Sequence, residues 1–470
     1  MYLSVVLAYL GIMIFIGLWQ SRRVKNEADF LVAGRTLPAR VLVFTLLSTW
    51  IGSGSLFGGA GLGYRAGFPA LWQSAGAWVG IAAVYFLAHR VRRIAKFTMP
   101  DILELRYGRT ARVLGTIVTA IAYTTITAYQ FRGGGRLLNL IAPIDPSTGA
   151  LITALFCIAY TALAGMLSVA YLDVGNGLMM TVSVGAAVIY LIGHAGGAGP
   201  AFTALRPDQV SLFGTLDPLT DAGYLFLPTM LLLMGEANMY QKFFSARDER
   251  AARNAVVAWI GGTIVVETLI VAVGVFGSVI LPGLSTGDSE AIVVRVAVER
   301  LPAVLGIALV CGAAAIIIST ANSFLLTPAS ALMNDVYKKM INPAATDRQV
   351  VLWTRILVVV LGALGFVALR FFQTILAMAL WAYTMYGAAV TPALLAAFIW
   401  PRATRQGGVA SIASGMAVTL GWEIQAQNAG GVYLLNLPTV YPALAVSVLM
   451  LVVVSLATRA PSERELAALR

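Results

Sequence analysis

Residues 48–63 read STWIGSGSLFGGAGLG. The stretch holds six glycines and three serines, yet the residues on both sides are apolar enough to cross a bilayer. Glycine costs about 1 kcal/mol per helix-interior position relative to alanine. A span built this way either packs closely against its neighbours through small residues or breaks. A break is tolerated at membrane depth only where it is buried in protein or lines a cavity, because no water satisfies the freed backbone groups. Gly54 and Gly58, and Gly59 and Gly63, have the small-xxx-small spacing of close packing. The stretch alone leaves both readings open.

The surrounding composition sets the solvent. Of 470 residues, 59% are hydrophobic and 11% charged, and mean hydropathy is +0.83. A soluble domain carries about 25% charged residues. Apolar runs of membrane-spanning length recur throughout, so the fold class is an all-α polytopic membrane protein. The net charge of +11 is expected in cytoplasmic loops rather than at a nucleic-acid surface. Cys157 and Cys311 both lie inside apolar runs, which implies no disulfide framework. The first residues, MYLSVVLAYLGIMIFIGLW, lack a basic leader and a small-residue cleavage site, and read as a retained span. No soluble domain is expected after the last span.

Segmentation predicts thirteen spans, near 1–19, 37–64, 69–88, 111–139, 148–166, 171–194, 222–244, 254–281, 303–336, 354–371, 374–400, 407–425 and 438–457. If residue 1 lies outside, inside segments carry 25 of the 32 Lys and Arg residues, among them Arg22, Arg23, Lys25, Lys96, Arg464 and Arg470. Outside loops carry only Arg65, Arg206, Arg295, Arg300 and Arg370. This asymmetry predicts an outside N-terminus and an inside C-terminus in the plasma (inner) membrane.

Two other spans bear on the glycine-rich one. The seventh, LPTMLLLMGEANMYQKFF, is interrupted by Gly235, Glu236 and Asn238. Two interrupted helices five spans apart fit two inverted five-helix repeats, spans two to six and seven to eleven, which place discontinuous helices at corresponding positions. The ninth span gathers Ser319, Thr320, Asn322 and Ser323 in an otherwise apolar helix. Such hydroxyls often bond back to the preceding turn. Four oxygen-bearing side chains within five residues also suit a hard cation such as Na⁺, with carbonyls freed by an unwound span completing its shell.

At this point the sequence resembles the sodium:solute symporter family, which includes bacterial proline, sialic acid and sugar symporters. The motifs that carry the resemblance follow one another in order: STWIGSGSLFGGAGLGYRAG, YTALAGMLSVAYLDVGNGLMM, GEANMYQKFFSARDERAARNA and ISTANSFLLTPASALMNDVYKK. The resemblance implies a leucine-transporter-like fold with one N-terminal and two C-terminal accessory helices. The whole chain would be a single transporter domain, with an accessory span and loop over 1–36, repeats over 37–200 and 201–402, and accessory spans over 403–470. It further implies a sodium ion held by the carbonyls of Ser48, Ile51 and Ile316 and the hydroxyls of Ser319 and Thr320. Some members hold a second sodium, and the matching residues here are Asp173, Asn322 and Ser323. Asn322 departs from the family's serine. Asp173 is open to three roles: resident ligand, aid to ion release, or interfacial carboxylate.

The solute is expected beside the ion, near Trp50, Ser53, Ser55, Gln73, Gln130, Glu236, Asn238, Tyr383 and Tyr386. Arg132 either clamps a carboxylate or snorkels outward. A carboxylate-bearing solute is favoured. Trp50 keeps a choline-like quaternary amine as the alternative, because the TWIGSGS run is similar to that of choline-transporting relatives. Proton coupling is the other alternative; it needs a titratable relay, and His89 and His194 lie near span ends. A receptor lacks an output domain, and an enzyme lacks a nucleophile–base constellation, Glu104, Glu267 and Glu423 lying on separate segments. The expected cofactor is Na⁺ as coupling ion, with no organic cofactor. The expected partners are a small-molecule solute and membrane lipid, with neither nucleic acid nor an obligatory protein partner.

Overall fold

The computed structural model describes residues 1–21, 32–94 and 98–462. Arg22, Arg23, Lys25, Lys96, Arg464 and Arg470 lie outside the described residues. Those described form helices and no strand. Nine of the helices are long and apolar enough to cross a membrane, and one further pair, Ala39–Trp50 with Gly54–Ala66, forms a span bent by 55°.

In chain order the helices that build the site are α1 (Tyr2–Ser21), α2 (Ala39–Trp50), α3 (Gly54–Ala66), α4 (Leu71–Ile94), α5 (Pro100–Tyr107), α6 (Arg109–Ile141) and α7 (Pro146–His194). There follow α8 (Gly223–Gly235), α9 (Ala237–Ser245), α10 (Glu249–Ile280), α11 (Ala303–Ala331), α12 (Asp347–Ala368) and α13 (Ile375–Ala389). The chain closes with α14 (Thr391–Ile399), α15 (Arg405–Asn428) and α16 (Val440–Ala457). The fifth and sixth expected spans run on in one helical element, α7, which contains the candidate spans Pro146–Leu163 and Ala170–His194. The ninth continues past α11 as a π-helical turn to Ile341.

Local chemistry sets the ends. Asp145 caps α7 by accepting the amides of Ser147 and Thr148, ahead of Pro146 in the first turn. The Ser147 and Thr148 side-chain hydroxyls, together with those amides, hold its carboxyl well below the usual carboxylate range. Asp248 caps α10 through the Ala251 amide, and Thr346 with Gln349 forms a capping box on α12. The start of α2 is pinned to the end of α9 by a single bridge, Leu37 to Ala246.

The glycine-rich stretch turns out to do two things in sequence. A side chain at Gly52 would come within 2.7 Å of Gln130 Nε2 and 2.9 Å of Thr320 Cγ2. Here the chain breaks, since Ile51 is extended (φ −75°, ψ 111°) and ends α2. Farther on, the stretch packs. A Cβ on Gly61 would lie 2.7 Å from Glu290 Cα, and one on Gly63 would lie 2.9 Å from the Val271 carbonyl on α10. The broken span is thus the buried centre of the bundle, packed against α4, α7, α10, α11 and α13. A lipid-facing break would leave backbone groups unsatisfied.

Candidate functional site

The first break lies between α2 and α3. The Ile51 amide closes the last turn of α2 onto the Leu47 carbonyl at 3.0 Å. Carbonyls at a helix C-terminus have no partner within the helix, and that end is electronegative. Two of them are taken by one side chain: the Thr320 hydroxyl on α11 lies 3.1 Å from the carbonyls of both Ser48 and Ile51. Ile316 is buried one turn earlier on α11. Ser319 donates to Asp173, whose other oxygen accepts the Thr45 hydroxyl at 2.5 Å. The Ser48 hydroxyl donates to the Asp173 carbonyl at 2.8 Å. The result is a buried nest of hydroxyl and carbonyl oxygens from three helices, a donor set suited to a hard cation. Among the described residues no group of three or more His, Cys, Asp or Glu could hold a metal ion.

The second break lies between α8 and α9, where Glu236 is extended (φ −60°, ψ 114°). Its neighbours treat the backbone and the side chains differently. The Tyr386 hydroxyl donates to the Gly235 carbonyl at 2.7 Å, and the Asn238 amide points at the Tyr123 hydroxyl at 3.4 Å. Glu236 and Asn238 are themselves fully buried. Yet Glu236 Oε1 and both polar atoms of the Asn238 side chain have no hydrogen-bond partner.

Helices α6 and α13 each touch both breaks. On α6, Gln130 Oε1 accepts the Ser53 amide at 2.8 Å, and Tyr123 serves the second break. On α13, Tyr383 meets Tyr129 hydroxyl to hydroxyl at 3.1 Å and lies 5.8 Å from the Trp50 ring, while Tyr386 serves the second break one turn on. Ser53 Oγ, Gln73 Oε1 and Gln130 Nε2 are buried without a partner. The structure therefore brings Trp50, Ser53, Gln130, Tyr383, Tyr386, Glu236 and Asn238 into one region between the breaks. Gln73 stands at its edge, 3.7 Å from a Cβ at Gly59.

Three expected residues are engaged elsewhere. Arg132 donates to the carbonyls of Leu369 and Phe372 at 2.5 and 2.7 Å, closing the end of α12. Asn322 Oδ1 accepts the Thr161 hydroxyl at 2.7 Å. Ser55 leans toward Glu267 at 3.5 Å. Glu267 on α10 is buried and also accepts the indole N–H groups of Trp50 at 2.8 Å and Trp78 at 3.1 Å, so it orients Trp50. Of the other acidic residues, Glu104 pairs with Arg112 at 2.5 Å, and Glu423 accepts the Thr439 hydroxyl at 3.2 Å.

Sequence reasoning missed several participants. Thr45 and Thr49 lie one turn apart on α2, on the face that Asp173 and Ser323 use, a spacing visible in the sequence. Lys242 reaches back from α9 to that same face. Arg136 pairs with buried Glu290 at 2.9 Å, and Glu290 accepts the Ile375 amide at 3.1 Å, so it caps α13. No local pattern announces either of these last two.

A model of the sodium:solute symporter family matches residues 30–415. The high-affinity proline transporter PutP of Bacillus subtilis (strain 168) is 26% identical over 465 residues, covering 96% of this chain and 97% of that protein. The high affinity choline transporter 1 of Homo sapiens is 25% identical over 409 residues, covering 82% of this chain and 68% of that protein. Among solved structures, the substrate-bound outward-open state of a Na⁺-coupled sialic acid symporter superimposes with a TM-score of 0.82 at 16% identity, covering 98% of each chain. At that identity the likeness speaks to the fold.

Proposed function

The chain belongs to the sodium:solute symporter family, and on that premise we propose that it imports a small carboxylate-bearing organic solute together with sodium, by alternating access. It is a membrane transporter and not an enzyme. The observation that carries the sodium reading is the Thr320 hydroxyl bridging the carbonyls of Ser48 and Ile51 across the first break. A sodium ion in that nest would take the place of the hydroxyl hydrogen, drawing α11 and the broken span together. Ser319 and the Ile316 carbonyl would complete its shell. Loss of the ion to the cytoplasm would loosen α11 from α2, and the solute would follow. The thirteen-span count, the five-plus-five inverted repeat and the outside N-terminus belong to this proposal; the two helix breaks support the repeat.

Ion entry down 100 mV releases about 2.3 kcal/mol, and a tenfold gradient adds about 1.4 kcal/mol. Coupling to one ion would concentrate a neutral solute several hundredfold, on the order of the sum of those two terms. The solute's place is between the breaks, where Glu236, Asn238, Gln73 and Gln130 keep unpartnered polar atoms. The half-helix α3 begins there with its positive end, the feature that receives a carboxylate in transporters built this way. Arg132 holds the end of α12 through Nη2 and keeps Nη1 unpartnered; with the guanidinium anchored there, the carboxylate is assigned to the α3 helix end instead. The proline transporter relative makes proline the first solute to try. The Trp50–Tyr383 ring pair backed by Glu267 favours a second reading, a quaternary amine held by aromatic faces; choline is its probe.

The test is thermal stability of the purified protein in NaCl against KCl at equal ionic strength, beside Ser319→Ala/Thr320→Ala. A saturable sodium-specific rise, absent from the double variant, is expected. Uptake of labelled proline and choline into proteoliposomes under an inward sodium gradient then separates the two solutes. An equal response to both salts overturns the ion site and directs transport assays to a pH gradient.

A further inference from the structure

The structure assigns a resident to the place where a second sodium would sit: we propose that the Lys242 ammonium is a tethered cation there, so that each chain takes up one exchangeable sodium. The inference rests on the sodium-symport reading and concerns its stoichiometry.

Lys242 is wholly buried on α9. Its Nζ donates to the Thr45 carbonyl at 2.9 Å and to the Thr49 hydroxyl, both on α2. Lysine offers three donors and no acceptor, so its head must lie among oxygens, as a sodium ion must. The oxygens it has found belong to the network of Asp173 and Ser323, two of the three residues that match a second sodium position. Thr49 Oγ1 lies 3.1 Å from Ser323 Oγ. Thr45 joins the ammonium to Asp173, giving its carbonyl to the one and its hydroxyl to the other. The third residue, Asn322, has turned its oxygen to Thr161.

All three residues are therefore in use, and a charged group already neutralises the neighbourhood of Asp173. A buried carboxylate persists only when paired or well hydrogen-bonded, and here the ammonium and two hydroxyls meet that need. An added sodium would meet a like charge at short range in a low-dielectric interior. The first site differs in kind. Among the described residues the Ser48 and Ile51 carbonyls are held across the break by the Thr320 hydroxyl, and rotating one hydrogen exposes the oxygen lone pairs to an ion. The same end of α2 thus presents two cation positions, one exchangeable and one built into the chain.

Equilibrium binding of radioactive sodium to the purified full-length protein, without solute, tests this. The unsubstituted protein is expected to bind one ion per chain with no cooperativity, and Thr320→Ala to lose it. Lys242→Ala is expected to bind two, with a steeper sodium dependence, and Lys242→Arg to return to one. Two ions bound with Lys242 in place overturn the proposal, as does a folded Lys242→Ala that binds one ion with unchanged affinity. If Lys242→Ala does not fold, the counts on the unsubstituted protein and Lys242→Arg decide, one supporting and two refuting. No saturable sodium binding at all overturns the sodium reading itself, a result distinct from a count of two.

Discussion

The two helix breaks meet the same physical problem with opposite solutions. At the first, the freed backbone and the hydroxyl–carboxylate cluster are matched within the protein, Thr320 with Ser48 and Ile51, Gln130 with the Ser53 amide, and Asp173 with Thr45 and Ser319, while Ser53 Oγ and Gln130 Nε2 stay unpartnered. At the second, tyrosines satisfy the backbone, while the side chains of Glu236 and Asn238 keep buried polar atoms without partners. An unsatisfied buried polar group costs about 1–3 kcal/mol. Holding several together is reasonable where a ligand completes them. On the proposed function, the first break is an ion position, which hydroxyl rotation opens, and the second is part of a solute position whose polar atoms a ligand completes.

The largest effect that tests this contrast is expected at the first break. Ser319→Ala/Thr320→Ala should remove the sodium-specific rise in Tm and lower sodium-driven uptake about 100-fold, the upper range of coupling energies. A double variant that retains both would erase the distinction between the breaks. Next comes Glu236→Gln, which removes the charge but keeps the shape. It should weaken affinity for a solute that also carries an ammonium, such as proline, roughly tenfold or more, as expected for a charge-assisted contact, and leave the sodium-induced Tm shift in place. If the sodium shift vanished with it, the two positions would be one. Tyr386→Phe deletes the hydroxyl on the Gly235 carbonyl. About 1 kcal/mol of stability should be lost, read as a lower Tm with sodium response intact. The smallest effect is expected for Arg132→Lys, which should change solute KM by less than about twofold, in the range of substitutions away from a site. A tenfold rise in KM would restore the guanidinium clamp and move the carboxylate away from the breaks.

Much of this arrangement was legible beforehand where its cause is local. The break at Ile51–Ser53 was readable because glycine is expensive in a helix and must have a reason to be there. That the same stretch also packs, at Gly61 and Gly63, required knowing that Val271 and Glu290 stand opposite. The hydroxyl cluster Ser319–Ser323 was visible as polarity in an apolar run, but not the divergence of its members. Thr320 turned to α2 carbonyls, Ser319 to Asp173, and Asn322 to Thr161. Arg132 was readable as clamp or snorkel, with the snorkel favoured, and became a cap for the end of α12 once that end lay beside it.

By itself the sequence determined the solvent, the helical class and the places where helices interrupt, because apolar run length, basic asymmetry and glycine content act segment by segment against the bilayer. Tertiary structure alone decided the partners. Lys242 meets Thr49 across 193 residues of chain, and Glu267 meets Trp50 across 217. In a membrane interior with no water to satisfy a stray charge, those distant pairings decide which buried polar atoms are already satisfied and which are not.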